Sequence, residues 1–209
     1  MSKTDLFYTA ILAGAFLSLF GVAETLYHYF NTKVELTRKI VHLGTGLLTL
    51  LFPLMLDDHR LVLLLCSGFV LILVISIRYN FLKSVNAIDR KSVGSIAYPV
   101  SVYGCYLAFN YFDRQYAYFY IPILILAICD PVAALAGKRW PIGKYKIGNS
   151  NKTLMGSAMF FISAFIVIIV LSFMEQTMTR IVMRGVIIAL FSTVSEAISG
   201  RGYDNITIP

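Results

Sequence analysis

Long apolar stretches, each about long enough to cross a bilayer, constrain the fold of this chain more than any other feature. Seven of them lie at roughly residues 6–27, 40–56, 60–77, 94–112, 117–137, 153–173 and 181–199. A membrane-spanning helix needs about 20 apolar residues, and a helix satisfies its backbone hydrogen bonds internally. The strict alternation of a membrane barrel strand is missing from the sequence. We therefore expect an all-α, polytopic transmembrane helix bundle of about seven spans.

Composition agrees with a membrane-embedded chain. Hydrophobic residues make up 58% of the sequence and charged residues only 14%, whereas soluble domains carry about 25% charged residues. The connections between the apolar stretches are short, and no separate soluble segment interrupts them. We expect a single integral-membrane domain over residues 1–209.

The positive charges are concentrated in alternate connections. The net charge is +7, and the basic connections carry Lys33, Arg38, Lys39, Arg78, Lys83, Arg90, Lys91, Lys138, Arg139, Lys144, Lys146 and Lys152. The intervening connections, Asp57–Arg60 and Asp113–Arg114, are poor in basic residues. Cytoplasmic loops carry an excess of Lys and Arg. The pattern predicts that the basic connections face the cytoplasm and that the N-terminus lies outside.

An aspartate lies near the end of the fifth apolar stretch. Asp130 and Pro131 directly follow the uncharged run 120–129. A charged side chain at membrane depth costs about 2.5–3.5 kcal/mol on insertion scales, so Asp130 marks a candidate functional centre. A structural alternative is that Asp130 caps a helix that restarts at Pro131, since Asp favours the N-cap and Pro the first helical position.

Polar and small residues recur at helical spacing within three stretches. The three sets are Arg38, His42, Thr45, Gly46 and Thr49; Asp130, Ala133, Ala134 and Gly137; and Ser192, Ser195, Glu196 and Ser199. Because lipid contact with polar groups is costly, these faces are expected to point into the bundle, where small residues allow close packing. The alternatives are interhelical hydrogen bonding by the hydroxyls, interfacial anchoring by Arg38, Lys39 and His42, and pairing of Glu196 with a structural arginine.

The predicted topology places acids and cations at the same membrane face. Asp130, Glu196 and Asp204 fall on the cytoplasmic side with Arg38, Arg90, Lys91, Lys138 and Lys152. Carboxylates hold Mg²⁺, while Lys and Arg neutralise phosphate oxygens. The constellation suits a polyphosphate bound through a divalent metal, and phosphoryl transfer to a lipid hydroxyl at the same interface.

The phosphate-binding element is not a P-loop. The segment 137–145 has the wrong spacing and lacks the Ser or Thr after the lysine. Lys152-Thr-Leu-Met-Gly156-Ser157 is instead predicted to open a helix, whose N-terminus favours anions. The alternative is a flexible basic loop that binds lipid headgroups.

Five motifs follow one another between Arg38 and the end of the chain. They are Arg38-Lys39-Ile-Val-His42-Leu-Gly-Thr-Gly46, Arg90-Lys91-Ser-Val-Gly94-Ser-Ile-Ala-Tyr-Pro99, Cys129-Asp130-Pro131-Val-Ala-Ala-Leu-Ala-Gly137-Lys138, Lys152-Thr-Leu-Met-Gly156-Ser157 and Glu196-Ala-Ile-Ser-Gly-Arg-Gly-Tyr-Asp204-Asn205-Ile-Thr-Ile-Pro209. In this order they resemble the family of phytol kinase, dolichol kinase and yeast-type diacylglycerol kinase. The fourth departs from that family at Met155, where an acid is usual.

This resemblance implies an enzyme that transfers the γ-phosphate of CTP, with Mg²⁺, to the hydroxyl of a lipid alcohol. The acceptor is expected to be phytol, a farnesol-type alcohol, dolichol or diacylglycerol, and the active site to face the cytoplasm. The size of the chain and its Arg-Lys-Ser-Val-Gly motif favour a small prenol kinase over a dolichol kinase. The expected partners are the lipid, the nucleotide and the bilayer, and no nucleic acid.

The resemblance also implies residue roles. Catalytic roles fall to Asp130, Lys138 and Asp204. Nucleotide binding falls to Arg38, Lys39, His42, Arg90, Lys91, Lys138 and Lys152. The candidate metal ligands are Asp130, Glu196, Asp204 and Asn205. Either Asp130 and Asp204 would both hold Mg²⁺, or one of the two would orient the lipid hydroxyl, and which one stays open.

Two other functions remain open at this point. A CTP-dependent cytidylyltransferase that makes a CDP-lipid would use a similar setting, although its dense Asp- and Gly-rich closing signature is not evident. A transporter or anionic-lipid-binding protein would show inverted repeats or charges across the membrane. Relatives of the resembled family usually continue beyond the position of Pro209 with another apolar segment, so either a further C-terminal helix is missing here or this member of the family is short.

Overall fold

The computed structural model describes residues 3–79, 81–86, 94–148, 150–172, 178–200 and 202–209. Of these residues, 81% are helical. The helices are α1 (Lys3–His28), α2 (Val34–Thr49), α3 (Phe52–Met55), α4 (His59–Tyr79), α5 (Lys83–Asn86), α6 (Gly94–Tyr111), α7 (Ala117–Leu124), α8 (Asp130–Arg139), α9 (Leu154–Ser172), α10 (Met178–Ile198) and α11 (Asp204–Thr207). A π-helical segment, Ile125–Cys129, joins α7 to α8.

Five helices in the described part of the chain are long and apolar enough to cross a membrane. They are Lys3–His28, His59–Tyr79, Ala117–Arg139, Leu154–Ser172 and Thr179–Ile198. The other two predicted spans correspond to α2, which has 16 residues, and to α6, which has 18 residues. The chain is a multi-pass helical membrane protein, while the number of seven spans and the orientation stay predictions.

The helical fold agrees with the all-α expectation, and one short β-hairpin is added to it. Strands β1 (Lys144–Ile147) and β2 (Ser150–Thr153) pair antiparallel, with Tyr145 opposite Lys152. The segment predicted as a basic loop between the fifth and sixth spans is therefore ordered. Its sequence signal is a Gly148-Asn149 dipeptide between two short polar runs, which is a hairpin dipeptide, and Gly148 has φ of +55°.

The bundle is held by an aromatic and aliphatic core. Tyr106, Phe109 and Phe119 are fully buried, and the hydroxyl of Tyr106 donates a hydrogen bond of 2.5 Å to the carbonyl of Leu56. This bond satisfies a polar group that would be costly to bury alone. It also joins α6 to the end of α3, on the far side of the molecule from the basic hairpin.

Helices α8 and α9 approach closely at two glycines, as the small-residue face of the fifth span predicts. A Cβ on Gly137 would lie 2.6 Å from Oγ1 of Thr153 and 3.5 Å from the Cα of Gly156. Ala133 is buried in the same contact face. A side chain larger than hydrogen at Gly137 would therefore push α9, and the hairpin before it, away from α8.

The helix that contains Asp130 does not break there. Asp130 has helical φ and ψ of −63° and −49°, and the chain is helical from Ala117 to Arg139. The alternative in which Asp130 caps a restarted helix is therefore wrong. The irregularity is instead the π-helical turn just before Asp130, and such turns are frequent at functional sites.

Candidate functional site

A polar cavity of about 680 Å³ opens at the end of the bundle where α2 begins and α8 and α10 end. It brings together most residues that the sequence singled out: Arg38, Lys39, His42, Asp130, Lys138, Lys152, Glu196, Asp204 and Asn205. Arg90 and Lys91, also predicted to bind nucleotide, lie outside the described residues. We call this space the polar cavity.

Three carboxylates contribute to its wall from three separate elements. Asp130 begins α8, Glu196 lies in the last turns of α10, and Asp204 begins α11. Asp204 and Glu196 are close enough to act electrostatically on Asp130. Like charges held together inside a protein repel one another, so this wall favours a cation.

Lys152 and Glu196 form a buried ion pair within the cavity. The Lys152 Nζ lies 2.7 Å from Oε1 of Glu196, with the two side chains 14% and 11% exposed. Lys152 also donates to the backbone carbonyl of Glu196. The pair joins strand β2 to helix α10, so it fixes the hairpin over the end of the bundle. Glu196 pairs with a lysine, and not with the arginine considered from the sequence.

The anion cradle expected at the start of α9 does not form. Helix α9 begins at Leu154, and Lys152 lies on the strand before it. The first amides of the helix already donate hydrogen bonds: Leu154 to Gly143, Met155 to Ile142 and Gly156 to Oγ1 of Thr153. Thr153 thus acts as the helix cap, and Lys152 presents only its side chain to the cavity.

The rim of the polar cavity carries a second, exposed ion pair. The Lys138 ammonium contacts the carboxylate of Glu35, and both side chains are more than half exposed. Lys39 lines the same cavity. Burial lowers the pKa of Lys39 by disfavouring its charged form, an effect that Glu35 and Asp130 oppose and Lys138 reinforces. A bound polyanion would therefore relieve repulsion between Lys39 and Lys138.

His42 is fixed by the π-helical turn. Its Nε2 lies 2.9 Å from the carbonyl oxygen of Leu126. In π-helical geometry this carbonyl would accept from the amide five residues later, but that residue is Pro131, which has no N–H. His42 supplies the missing donor. Because a carbonyl can only accept, Nε2 carries the hydrogen, and Nδ1 of the neutral ring is the acceptor.

Asn205 ties the C-terminal segment to α6. The side-chain Nδ2 of Asn205 donates to the backbone carbonyl of Gly94 at 2.9 Å, and the backbone carbonyl of Asn205 accepts from the hydroxyl of Ser101 at 2.5 Å. These two bonds place Asp204 at the polar cavity. They leave the side-chain carbonyl oxygen of Asn205 as the atom that could reach a metal or a ligand.

A second, apolar cavity of about 120 Å³ adjoins the polar one. Phe16, Phe69, Cys66 and Val102 are among its lining residues, and it lies between α1, α2, α4 and α6. Arg38, His42 and Asn205 line both cavities. The two spaces therefore meet at these three side chains, and we call the second space the apolar cavity.

Comparison with known proteins gives a relative that covers most of the chain. A phytol kinase from Synechocystis sp. is 32% identical over 191 residues, which are 90% of this chain and 80% of the relative. The chain belongs to the phytol kinase family. No protein-family model matches it, and no solved structure does.

Membership of the phytol kinase family gives the residues around the polar cavity a common context, and their individual roles stay predictions. Sequence reasoning missed two of the side chains involved. Glu35 lies about one helical turn before Arg38 and Lys39 on α2. That spacing from the two basic residues was the sequence signal that could have identified it. Tyr98 lies 5.5 Å from the His42 ring, centroid to centroid, and 3.3 Å from Thr49 Oγ1. Tyr98 lies in the second motif, directly before Pro99, and that position was the available signal.

The donor set of this phytol kinase family member suits a metal that is held partly by its substrate. Among the described residues, no three His, Cys, Asp or Glu side chains are grouped closely enough to hold an ion by themselves. Mg²⁺ is usually bound through one or two carboxylates and substrate phosphates. Oε2 of Glu196 is buried without a described hydrogen-bond partner, so this wall has an unsatisfied acceptor.

Proposed function

We propose that this protein is a lipid-alcohol kinase that transfers the γ-phosphate of CTP, with Mg²⁺, to a membrane prenol such as phytol. The observation that carries the proposal is the junction of two unlike spaces. A polar cavity with carboxylates and ammonium groups meets an apolar cavity at Arg38, His42 and Asn205. Membership of the phytol kinase family supports the kinase chemistry, and the name of the Synechocystis relative supports a phytol-like acceptor.

The polar cavity has the size and charge that a nucleotide requires. Its volume of about 680 Å³ falls within the range of small-molecule sites, about 300–1,000 Å³. Arg38, Lys39 and Lys138 supply cations along one side, and Arg and Lys are the usual partners of phosphate oxygens. The preference for CTP over ATP is part of the proposal and is supported by the resemblance in the motifs.

The carboxylates of the polar cavity support the proposal of Mg²⁺ at this wall. Asp130 and Asp204 would hold Mg²⁺ together with phosphate oxygens, and Glu196 and Asn205 would support it from the same wall. When bound, Mg²⁺ would neutralise charge on the phosphate groups. Lys152 already neutralises one oxygen of Glu196, so Asp130 and Asp204 are the stronger candidates for direct contact.

The reaction needs a new bond between the lipid oxygen and the γ-phosphorus. The bond from that phosphorus to the oxygen bridging the β-phosphate breaks, and CDP leaves with the electron pair. The hydroxyl proton passes to a nearby acceptor, for which the candidates that line the polar cavity are the carboxylates of Asp130 and Asp204 and the imidazole of His42. Such transfers depend mainly on positioning and electrostatic stabilisation, so the fixed geometry of α8 and α11 is the protein's main contribution.

The test is label transfer by the purified protein in detergent or liposomes with Mg²⁺. CTP labelled at the γ-phosphate, CTP labelled at the α-phosphate and γ-labelled ATP are each incubated with phytol, farnesol, dolichol or diacylglycerol. The proposal predicts that the γ-label from CTP, and not the α-label, appears in the lipid product. Phytol or farnesol is expected to be the best acceptor.

The other outcomes decide against specific parts of the proposal. Incorporation of the α-label with release of pyrophosphate would identify a cytidylyltransferase. Stronger labelling from ATP would overturn the choice of CTP. A folded protein that labels none of the four lipids would overturn the lipid-kinase function itself.

A further inference from the structure

We propose that the apolar cavity is the acceptor site, which holds the hydroxyl-bearing end of the lipid alcohol with its hydroxyl at His42. This inference rests on the proposed kinase function and deepens it. The supporting observation is position. Arg38, His42 and Asn205 form the boundary of both cavities, so an alcohol in the apolar cavity presents its polar end to the space that holds the acids and cations.

The size of the apolar cavity limits how much of a lipid it can hold. Its volume is about 120 Å³, while an engineered apolar cavity of about 150 Å³ in another protein binds one benzene molecule. The space therefore suits a unit of about five carbons, close to one isoprene unit. We infer that the cavity accepts the first isoprene unit of the chain, and that the rest of the chain lies outside it.

The lining is chemically suited to that unit. Phe16 and Phe69 contact each other with ring centroids 4.6 Å apart, and Phe16 also meets Phe52 at 5.9 Å. Val102 and Cys66 face the same space from α6 and α4. Each buried methylene contributes about 0.8 kcal/mol of transfer free energy, so this apolar part of the wall favours a branched hydrocarbon. Thr45, Thr49 and Ser95 add hydroxyl groups to the rest of the lining.

His42 provides a defined partner for the hydroxyl. Its Nε2–H is occupied by the carbonyl of Leu126, which leaves Nδ1 as the acceptor for an alcohol O–H. The ring cannot rotate without losing the Leu126 bond, and the neighbouring Tyr98 ring packs on it at an angle of 62°. The hydroxyl is therefore held at one place on the boundary between the two cavities.

The test uses a matched pair of valines on α6. Val102 is 1% exposed and lines the apolar cavity, whereas Val100 is 57% exposed on another face of the same helix. Val102→Phe places a ring in the cavity, and Val100→Phe adds the same ring outside it. We expect V102F to raise KM for phytol about tenfold or more, since excluding about two methylene groups is worth that factor. KM for CTP should not change, and V100F should behave as wild type.

A second measurement locates the lipid without relying on turnover. A farnesol analogue with a diazirine on its first isoprene unit is photolysed with wild type, V100F and V102F, and the labelled peptides are identified by mass spectrometry. We expect labelling of α4 and α6 around Cys66 and Val102 in wild type and V100F. Excess phytol and the V102F substitution should each suppress it.

The two readouts separate the acceptor site from the kinase function. Labelling of the cavity by the probe in a protein that phosphorylates no alcohol would refute the kinase and retain the site. Active enzyme with labelling elsewhere, or with an unchanged KM in V102F, would refute the site and retain the kinase. Thermal unfolding of both variants confirms that the comparison is made on folded protein.

Discussion

The two ends of this bundle both carry charged residues, and those of one end line the polar cavity. At one end, Asp57 and Arg114 form an ion pair of 2.7 Å whose side chains are 76% and 44% exposed. At the other, Lys152 and Glu196 form a pair of the same length, 2.7 Å, that is almost completely buried beside a cavity of about 680 Å³. Exposed pairs are weakly coupled to stability, whereas buried charges are costly unless they are compensated. The candidate site is therefore distinguished by the burial of its charged side chains and by their convergence on one cavity, more than by charge itself.

Removing one charge from the polar cavity, with the shape of the side chain kept, should have the strongest effect on catalysis. Asp204→Asn should lower kcat about 10²–10³-fold, since the loss of one preorganised electrostatic contact to the transition state has that size. The measurement is kcat for phytol phosphorylation at saturating CTP. Asp58→Asn is the matched control, because Asp58 caps α4 through the amide of Arg60 at the opposite end and Asn caps equally well. Equal losses in both variants would contradict the distinction between the ends.

Disrupting the buried ion pair of Lys152 and Glu196 should have the next largest effect, in this case on the stability of the protein. Lys152→Met leaves the Glu196 carboxylate buried without its partner, so we expect the free energy of unfolding to fall by about 3 kcal/mol. Denaturant unfolding in detergent measures it. Adding Glu196→Gln to the same protein should restore much of the loss, since no uncompensated charge then remains. A double variant as unstable as the single one would show that Lys152 acts through packing and not through its charge.

How far the sequence predicts this arrangement differs between the helices and the site. Hydropathy places most helical segments within a few residues, because the cost of exposing polar groups to lipid acts on every residue of a span. The second predicted span, 40–56, is the exception, since it is divided between α2, which begins at Val34, and α3. The stripe of His42, Gly46 and Thr49 also faces inward, as its spacing predicts. The side-chain pairs of the site are harder to predict than the helices. The pairing of Lys152 with Glu196 depends on the hairpin and on the packing of α9 against α10. The Gly148-Asn149 dipeptide is a local signal for the hairpin, but the meeting of α9 with α10 and the ion pair itself leave none.

The contact between His42 and the π-helical turn could not be predicted from the sequence either, because it also depends on long-range packing. Pro131 indicates that a carbonyl one turn earlier lacks its helical partner, but the sequence does not say which side chain replaces it. His42 is 84 residues away from Leu126, and only the packing of α2 against the turn brings them together. Close approach at Gly46, where a Cβ would clash with Ala127, makes that packing possible.

The exposed pair at the cavity rim should give a smaller effect, confined to binding. Lys138→Met should leave stability within about 1 kcal/mol, as expected for an exposed pair. It should raise KM for CTP about tenfold, because a hydrogen bond to a charged group contributes about 1.5–3 kcal/mol. Steady-state kinetics with CTP varied measures it. Glu35→Gln is the control, since it releases Lys138 and should leave KM for CTP unchanged or lower. An equal rise in both variants would indicate that the pair itself, and not Lys138, is needed.

The opposite end should show the smallest effects. Arg114→Gln removes the exposed partner of Asp57 and should change the free energy of unfolding by less than about 1 kcal/mol. Neither KM nor kcat should change, because Asp57 and Arg114 are not among the described residues that line the polar cavity. A loss of activity without a loss of stability would mean that the end with Asp57 takes part in the reaction.

The most direct test of the central claim compares one aspartate from each end in the transfer assay. Wild type, Asp130→Asn and Asp57→Asn are incubated with γ-labelled CTP, Mg²⁺ and phytol, and the labelled lipid is measured. We predict equal labelling by wild type and D57N, and a loss of about 10²-fold or more in folded D130N. Labelling by D130N at the wild-type rate would contradict the claim that the polar cavity is the site of phosphoryl transfer.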